Sequence, residues 1–309
     1  MPDLVKFSLT VDVEGEWLEL PNEQSLFDID KVVFAVEKLE HELIRIQDSI
    51  GQKIAVTWFF RCDDSVAYTT GKLTGLVQRM DRFIGRCLDK GDDLGFHPHL
   101  YQNKSGKWKS EIDPIEQCKQ IDRSVSAWTR HFGSRPNISR MGEALMNPVL
   151  AKHLDSVGIQ IDSSALPGRK RYDSGFQFDW SITPEKLYRP SKEDYRREVK
   201  KGENHYGYTE IPFTMLRTKS SIDEREINRY CNLAYRPDIV SEAIKKMKDT
   251  STIVSVVHPH ELLPSGRSHA IISNEVSSLS INIKLFLDRF PVINFVTLSD
   301  LAATTEIQL

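Results

Sequence analysis

The sequence predicts an α/β fold whose parallel sheet is closed or distorted into a barrel. Three observations predict it. Short β-rich runs alternate with helical stretches along the 309 residues; the alternation repeats often enough for seven or eight β/α units; and polar residues gather at the C-terminal ends of the strand-like runs.

The elements follow in order. VKFSLTVDVE reads as a strand, and DIDKVVFAVEKLEHELIRIQDSI as a helix. KIAVTWFFRCDD is a second strand, and KLTGLVQRMDRFIGRCLDKG a helix stopped by glycine. DDLGFHPH precedes a helix over about 114–131, NISRMGE one over about 147–157, and IQIDSSALPG opens a long irregular segment reaching about residue 204. The strand YGYTEIPF, a helix over about 238–248, the strand STIVSVVHPH, a helix over about 275–290 and a last strand VINFVTL complete the pattern. No linker composition interrupts it, so residues 1–309 are expected to form one catalytic domain.

Composition narrows the function. A net charge of −3 with interspersed signs gives no basic field for nucleic acid or anionic membranes. Cys62, Cys87, Cys118 and Cys231 lack paired metal spacing and suit reduced thiols. The N-terminus has no basic leader before an apolar run, and no apolar run approaches about 18 residues, so a cytoplasmic location without membrane insertion is expected. Oligomeric state leaves no sequence signal.

The strand ends carry the chemistry. Asp12 and Glu14 end the first, Asp63 and Asp64 the second, His97 and His99 the third, Arg140 the fourth, Asp162 the fifth, and His258 and His260 the seventh. Each i, i+2 pair can point one way from a strand, so the pairs can converge on one mouth. A carboxylate with two neutral imidazoles is a ligand set for a divalent cation, zinc first among them.

The ordered set LTVDVEGEW, DLGFHPHLY, SRMGEALMNPVLAKHLDSVGIQIDSSALPG, FDWSITPEKLYRPS, TEIPFTML and VVHPHEL resembles the successive motifs of the polysaccharide deacetylase family, the NodB-homology or carbohydrate esterase 4 group. The resemblance spans about Leu4 to Leu301 and implies a distorted (β/α)7 barrel holding zinc or a similar ion, which removes an acyl group from an N-acylated sugar or glycoconjugate. It implies Asp12 as catalytic base, Glu14 as metal carboxylate, His97 as first metal histidine, Arg140 as partner of the base and His258 as general acid. Three departures stand out. Asp-Val-Glu replaces adjacent aspartates, which leaves an exchange of roles between Asp12 and Glu14 open. Leu100 and Tyr101 occupy the usual position of the second histidine, so His99 is taken as the substitute ligand. SRMG lacks the usual proline.

On this reading the first His-Pro-His tripeptide binds metal and the second supplies a proton donor, with Asp162 orienting His258. Trp17, Trp180 and His260 are candidate substrate contacts, the indoles because flat aromatic faces suit sugar rings. The stretch 169–201, with ten Lys/Arg against six Asp/Glu, suits an anionic group or a solvated loop. Two other functions remain open: a related amidohydrolase acting on a small cyclic amide or ureide, and a sugar-binding relative without turnover.

Overall fold

The computed structural model describes residues 4–15, 28–104, 107–172, 177–264 and 269–304. The first half runs β1 (Val5–Val13), α1 (Ile29–Ile50), β2 (Val56–Phe60), α2 (Asp64–Thr70), α3 (Gly75–Arg79), α4 (Asp81–Asp89), β3 (Asp93–Phe96), β4 (Tyr101–Lys104), β5 (Lys107–Ser110), α5 (Pro114–Phe132), β6 (Ile138–Ser139) and α6 (Pro148–Val157). The second runs β7 (Ile161–Asp162), β8 (Lys170–Tyr172), β9 (Gln177–Asp179), β10 (Thr209–Glu210), β11 (Met215–Thr218), β12 (Ile227–Tyr230), α7 (Pro237–Lys245), β13 (Thr252–Val257), α8 (Ser277–Arg289), β14 (Ile293–Phe295) and α9 (Leu298–Ala303).

One mainly parallel sheet organises these elements, in the order β10-β7-β6-β3-β2-β1-β13. β1 is nearly all buried, as expected of a strand covered on both faces. β13 lies along one edge of it, from Lys6↔Thr252 to Val11↔Val257. The other edge is divided: β14 pairs with Val5–Phe7 and β2 with Leu9–Val13. The far edge of β13 is covered in turn, because Thr214 donates its N–H to the Val254 carbonyl and Asn232 bridges to Val256. The sheet is thus a curled, barrel-like α/β structure.

Helices flank it. α1 buries Val32, Val36, Leu39, Leu43 and Ile46 along one stripe, behind an Asp28 cap that accepts from Lys31 N. α5 and α6 each start on an Asx cap followed by proline, Asp113-Pro114 and Asn147-Pro148. A second apolar cluster joins Phe59, Ile138, Ile161 and Val254 of the strands, and Ile211 just after β10, to Leu298 and Leu301 of α9. α9 is tied there by Leu298 N to Thr57 Oγ1 (3.0 Å) and Ser299 N to Asp93 Oδ2 (2.8 Å). Gly95 permits this packing, since a Cβ on it would come within 2.3 Å of the Phe59 ring.

Three expectations need correction. The helix expected over 72–91 is two, α3 and α4, broken at Met80, whose backbone is non-helical. The strand expected over 206–213 pairs in the sheet only at Thr209 and Glu210. Three hairpins, β4/β5, β8/β9 and β11/β12, had no counterpart in the reading; they are short, and β8 is exposed throughout, so no buried alternation marks them. Among the described residues no helix is long and apolar enough to cross a membrane.

Candidate active site and metal centre

The C-terminal strand ends enclose a cavity of about 310 Å³ lined by Asp12, Glu14, His97, His99, Arg140, His258 and His260. His97 continues β3 by donating its backbone N–H to the Phe60 carbonyl, and Pro98 turns the chain so that His99 returns to the same space. Gly142 makes room for it: a Cβ there would come within 2.3 Å of the His99 ring. Glu143 and Ala144, next along, both adopt left-handed backbone (φ 58° and 54°), a strain that non-glycine residues tolerate only when the surroundings hold them.

Glu14, His97 and His99 offer ligand atoms within 4.8 Å of one another, all buried. Glu14 Oε2 lies 2.9 Å from His99 Nε2 and 3.5 Å from His97 Nε2, yet it accepts no hydrogen bond. The imidazoles are oriented from behind. His97 Nδ1 is 2.8 Å from the Arg140 carbonyl, which can only accept. His99 Nδ1 is 2.8 Å from Tyr101 Oη, and that hydroxyl donates onward to Glu143 Oε1 at 3.1 Å. Both protons therefore sit on Nδ1, and both Nε2 lone pairs face Glu14, only 3.2 Å apart. An orphaned carboxylate oxygen beside two converging lone pairs fits a divalent cation, whose charge satisfies all three.

Asp12 and Arg140 form the second group. Arg140 Nη1 donates to Asp12 Oδ1 at 2.6 Å and to Thr10 Oγ1 at 2.8 Å, Nε to the Ser163 carbonyl, and Nη2 to Ser163 Oγ. Its guanidinium lies between Phe59 and Phe213, 4.2 and 4.3 Å from their centroids. This clamp fixes Asp12, whose Oδ2 is 3.7 Å from His258 Nε2. His258 is the third group. Its Nδ1 meets Glu261 Oε2 at 3.0 Å, and Asn232 Nδ2 donates to the same oxygen at 2.7 Å. Burial pushes the imidazole pKa down, but Glu261, Glu14 and Asp12 outweigh that and raise it to about 10. A cation among the neighbouring ligands would work against that rise.

Asp162 does not orient His258; Glu261 is the carboxylate bonded to it. Asp162 accepts from Ser139 Oγ at 2.5 Å and faces Glu210, a buried carboxyl pair whose burial and mutual repulsion push Glu210 well up. Trp180 is also corrected as a substrate contact. It is 1% exposed, donates Nε1–H to the Ala144 carbonyl and packs edge-on to Tyr195, so it supports the cavity wall from outside. Trp17 lies outside the described residues. His260 does line the cavity, with its Nδ1 buried and unpaired.

Several functional residues escaped the sequence reading. Glu261 stands three residues after His258, a spacing that was legible. Tyr101 and Glu143 required knowing that the two segments meet. Arg61, fully buried, lies 3.6 Å from Glu14 and 2.5 Å from Asp63, and no local pattern links it to either role. Among the described residues the aromatic walls are Phe178, Phe213 and Tyr230.

No protein-family model and no curated protein matches the chain. Solved structures do share its fold. A candidate glycoside hydrolase/deacetylase of Parabacteroides distasonis aligns over 97% of this chain and 71% of its own at 11% identity, with a TM-score of 0.64. A candidate polysaccharide deacetylase of Mycobacterium smegmatis aligns over 100% and 94% at 15% identity, with a TM-score of 0.52. At these identities the likeness is one of fold, and it agrees with the distorted barrel that the sequence motifs imply.

Proposed function

We propose that this chain is a metal-dependent hydrolase that removes an N-acyl group, acetyl foremost, from a sugar in polysaccharide or glycolipid assembly. The observation that carries the reading is the convergence of three groups on one cavity: a Glu/His/His ligand set, a carboxylate clamped by arginine, and a histidine backed by a carboxylate. The descriptions of the two similar folds, as glycoside hydrolase/deacetylase and polysaccharide deacetylase, agree with it.

Amide hydrolysis needs an activated water, a polarised carbonyl and a protonated leaving amine. A divalent cation held by Glu14, His97 and His99, with zinc the expected ion, supplies carbonyl polarisation and acidifies water. Asp12, fixed through Oδ1 by Arg140, accepts the proton of the attacking water through Oδ2. His258, its ring held through Nδ1 by Glu261, delivers a proton from Nε2 to the departing nitrogen. Phe213 and Tyr230 offer apolar faces for one sugar ring, a size that suits the cavity.

The test measures metal content and acetate release from N-acetylated sugars. The expected result is about one divalent ion per chain and a chelator-sensitive activity. Asp12→Asn should keep the metal and lose about 10²-fold or more in kcat, the usual contribution of a general base. His258→Ala should lose a similar factor on amides and much less on an aryl acetate, whose leaving group needs no proton. Ring opening of cyclic amides without acetate release would overturn the sugar reading in favour of the amidohydrolase one; metal-free protein without turnover would favour the binding one.

A further inference from the structure

We propose that the cavity contains an anion subsite centred on Arg169, with Arg171 beside it, that receives a carboxylate or phosphate carried by the acylated sugar. The inference rests on the sugar reading above and specifies its substrate class. Both arginines line the cavity that holds Asp12, Glu14 and His258. Four of the ten Lys/Arg that the sequence concentrates in 169–201 are neutralised locally. Lys186 pairs with Glu198, Lys192 with Asp155, Arg196 with Asp179 and Asp194, and Arg197 with Glu193 and Glu203. Arg169 differs: its guanidinium donates to the Asn228 carbonyl at 3.1 Å and makes no ion pair with a described residue.

Its position is built rather than incidental. Arg169 N donates to the Leu166 carbonyl, Gly168 N to the Trp180 carbonyl, and Trp180 N returns to the Arg169 carbonyl at 2.8 Å, which fixes the root of the β8/β9 hairpin. Buried Trp180 anchors that root in turn. A guanidinium with one donor committed to a neutral carbonyl keeps the others for a planar or tetrahedral anion, which arginine binds in bidentate fashion. Arg169 also lines an adjoining hollow with Arg217 and Arg225, so the cationic wall continues outward from the reaction centre. Arg217 there is paired with Glu226 at 3.2 Å. Of the carboxylates facing the cavity, Asp12 is held by Arg140, Glu261 by His258 and Glu14 belongs to the metal ligands, while Glu143 keeps its charge and accepts from the Tyr101 hydroxyl.

The test compares N-acetylglucosamine, N-acetylglucosamine 1-phosphate and N-acetylmuramic acid as substrates of the zinc-loaded protein, with acetate release as the readout. Binding of glucosamine and glucosamine 1-phosphate is measured in parallel by calorimetry. The expected result is a preference of about 10-fold or more in kcat/KM for one of the anionic substrates, shrinking with ionic strength as an exposed charge contact should. The phosphate and carboxylate arms say which anion fits. Arg169→Gln should bring the ratio of anionic to neutral substrate down by about 10-fold, and Arg169→Lys should restore part of it. Equal use of neutral and anionic sugars, or a preference that persists in Arg169→Gln, overturns the subsite. Absence of acetate release from every sugar counts against the deacetylase reading instead. Calorimetry then decides the subsite alone: tighter glucosamine 1-phosphate binding that Arg169→Gln abolishes supports it, and equal binding of the two amines overturns it.

Discussion

The smallest unit of this site is the proton on each imidazole. His97 hands its Nδ1–H to a backbone carbonyl, a partner that no side-chain substitution removes. His99 depends on Tyr101, whose hydroxyl can accept from Nδ1–H because it donates its own proton to Glu143. Burial first, then the Glu143 charge, pushes the Tyr101 pKa well up, so the hydroxyl remains a donor at any working pH. Tyr101→Phe keeps the ring and deletes that partner. Loss of such an outer hydrogen bond commonly weakens metal affinity by about 10–100-fold, and that is the expected drop in zinc affinity, measured by competition with a chromophoric chelator. Unchanged affinity would mean that the chain from Glu143 through Tyr101 does not set the tautomer of His99. Direct loss of a ligand, in Glu14→Ala, His97→Ala or His99→Ala, should exceed the Tyr101→Phe effect.

Between elements, the β7–β10 junction holds the least expected chemistry. Asp162 and Glu210 pair across it, both fully buried. Asp162 Oδ2 makes no hydrogen bond among the described residues, and burial with Asp162 beside it pushes the Glu210 pKa well up, so a proton shared between the two carboxyls is the expected state. A carboxyl whose folded pKa is raised contributes stability that is complete below its unfolded value, about 4.3, and is lost as pH rises toward the folded value. Glu210→Gln supplies a permanent donor to Asp162 and keeps an oxygen for Ser164 N and Ala165 N. Its Tm relative to the native chain should therefore climb as pH rises above about 4.3, by roughly 2 °C per pH unit until the folded value is passed; a difference that stays flat with pH would exclude the shared proton. This junction also shows what the sequence could reveal. Asp162 was visible as a polar strand end, because a buried strand makes any carboxylate conspicuous. Its partner was not, since YGYTEIPF pairs over two residues only and gives Glu210 no periodic frame. The ligands Glu14, His97 and His99 were legible because they directly follow buried strand runs, although His99 reaches the site through the turn at Pro98 and not through strand alternation. Trp180 misled because aromatic size speaks for burial as readily as for sugar contact.

Across the whole molecule the cavity is a seam. Glu14 ends the central strand β1, His97 and His99 follow β3, and β2 with buried Arg61 lies between them, while α9 closes the opposite end on Phe59. A cation bound by Glu14, His97 and His99 would join parts of the chain more than 80 residues apart, in an arrangement that the unfolded chain does not hold. Binding to the folded state alone stabilises by RT ln(1 + [L]/Kd), about 2.7 kcal/mol at a hundred times Kd. The Tm of this protein should then rise with free zinc, by roughly 3 °C for each tenfold increase above Kd, and chelation should return it to a constant floor. His99→Ala should flatten that dependence, whereas Lys284→Ala, on the exposed face of α8, should preserve it. Zinc attracted to scattered histidines of the unfolded chain would lower the slope in every variant alike. A slope that survives in His99→Ala would locate the stabilising ion elsewhere in the chain and remove the metal centre from the seam.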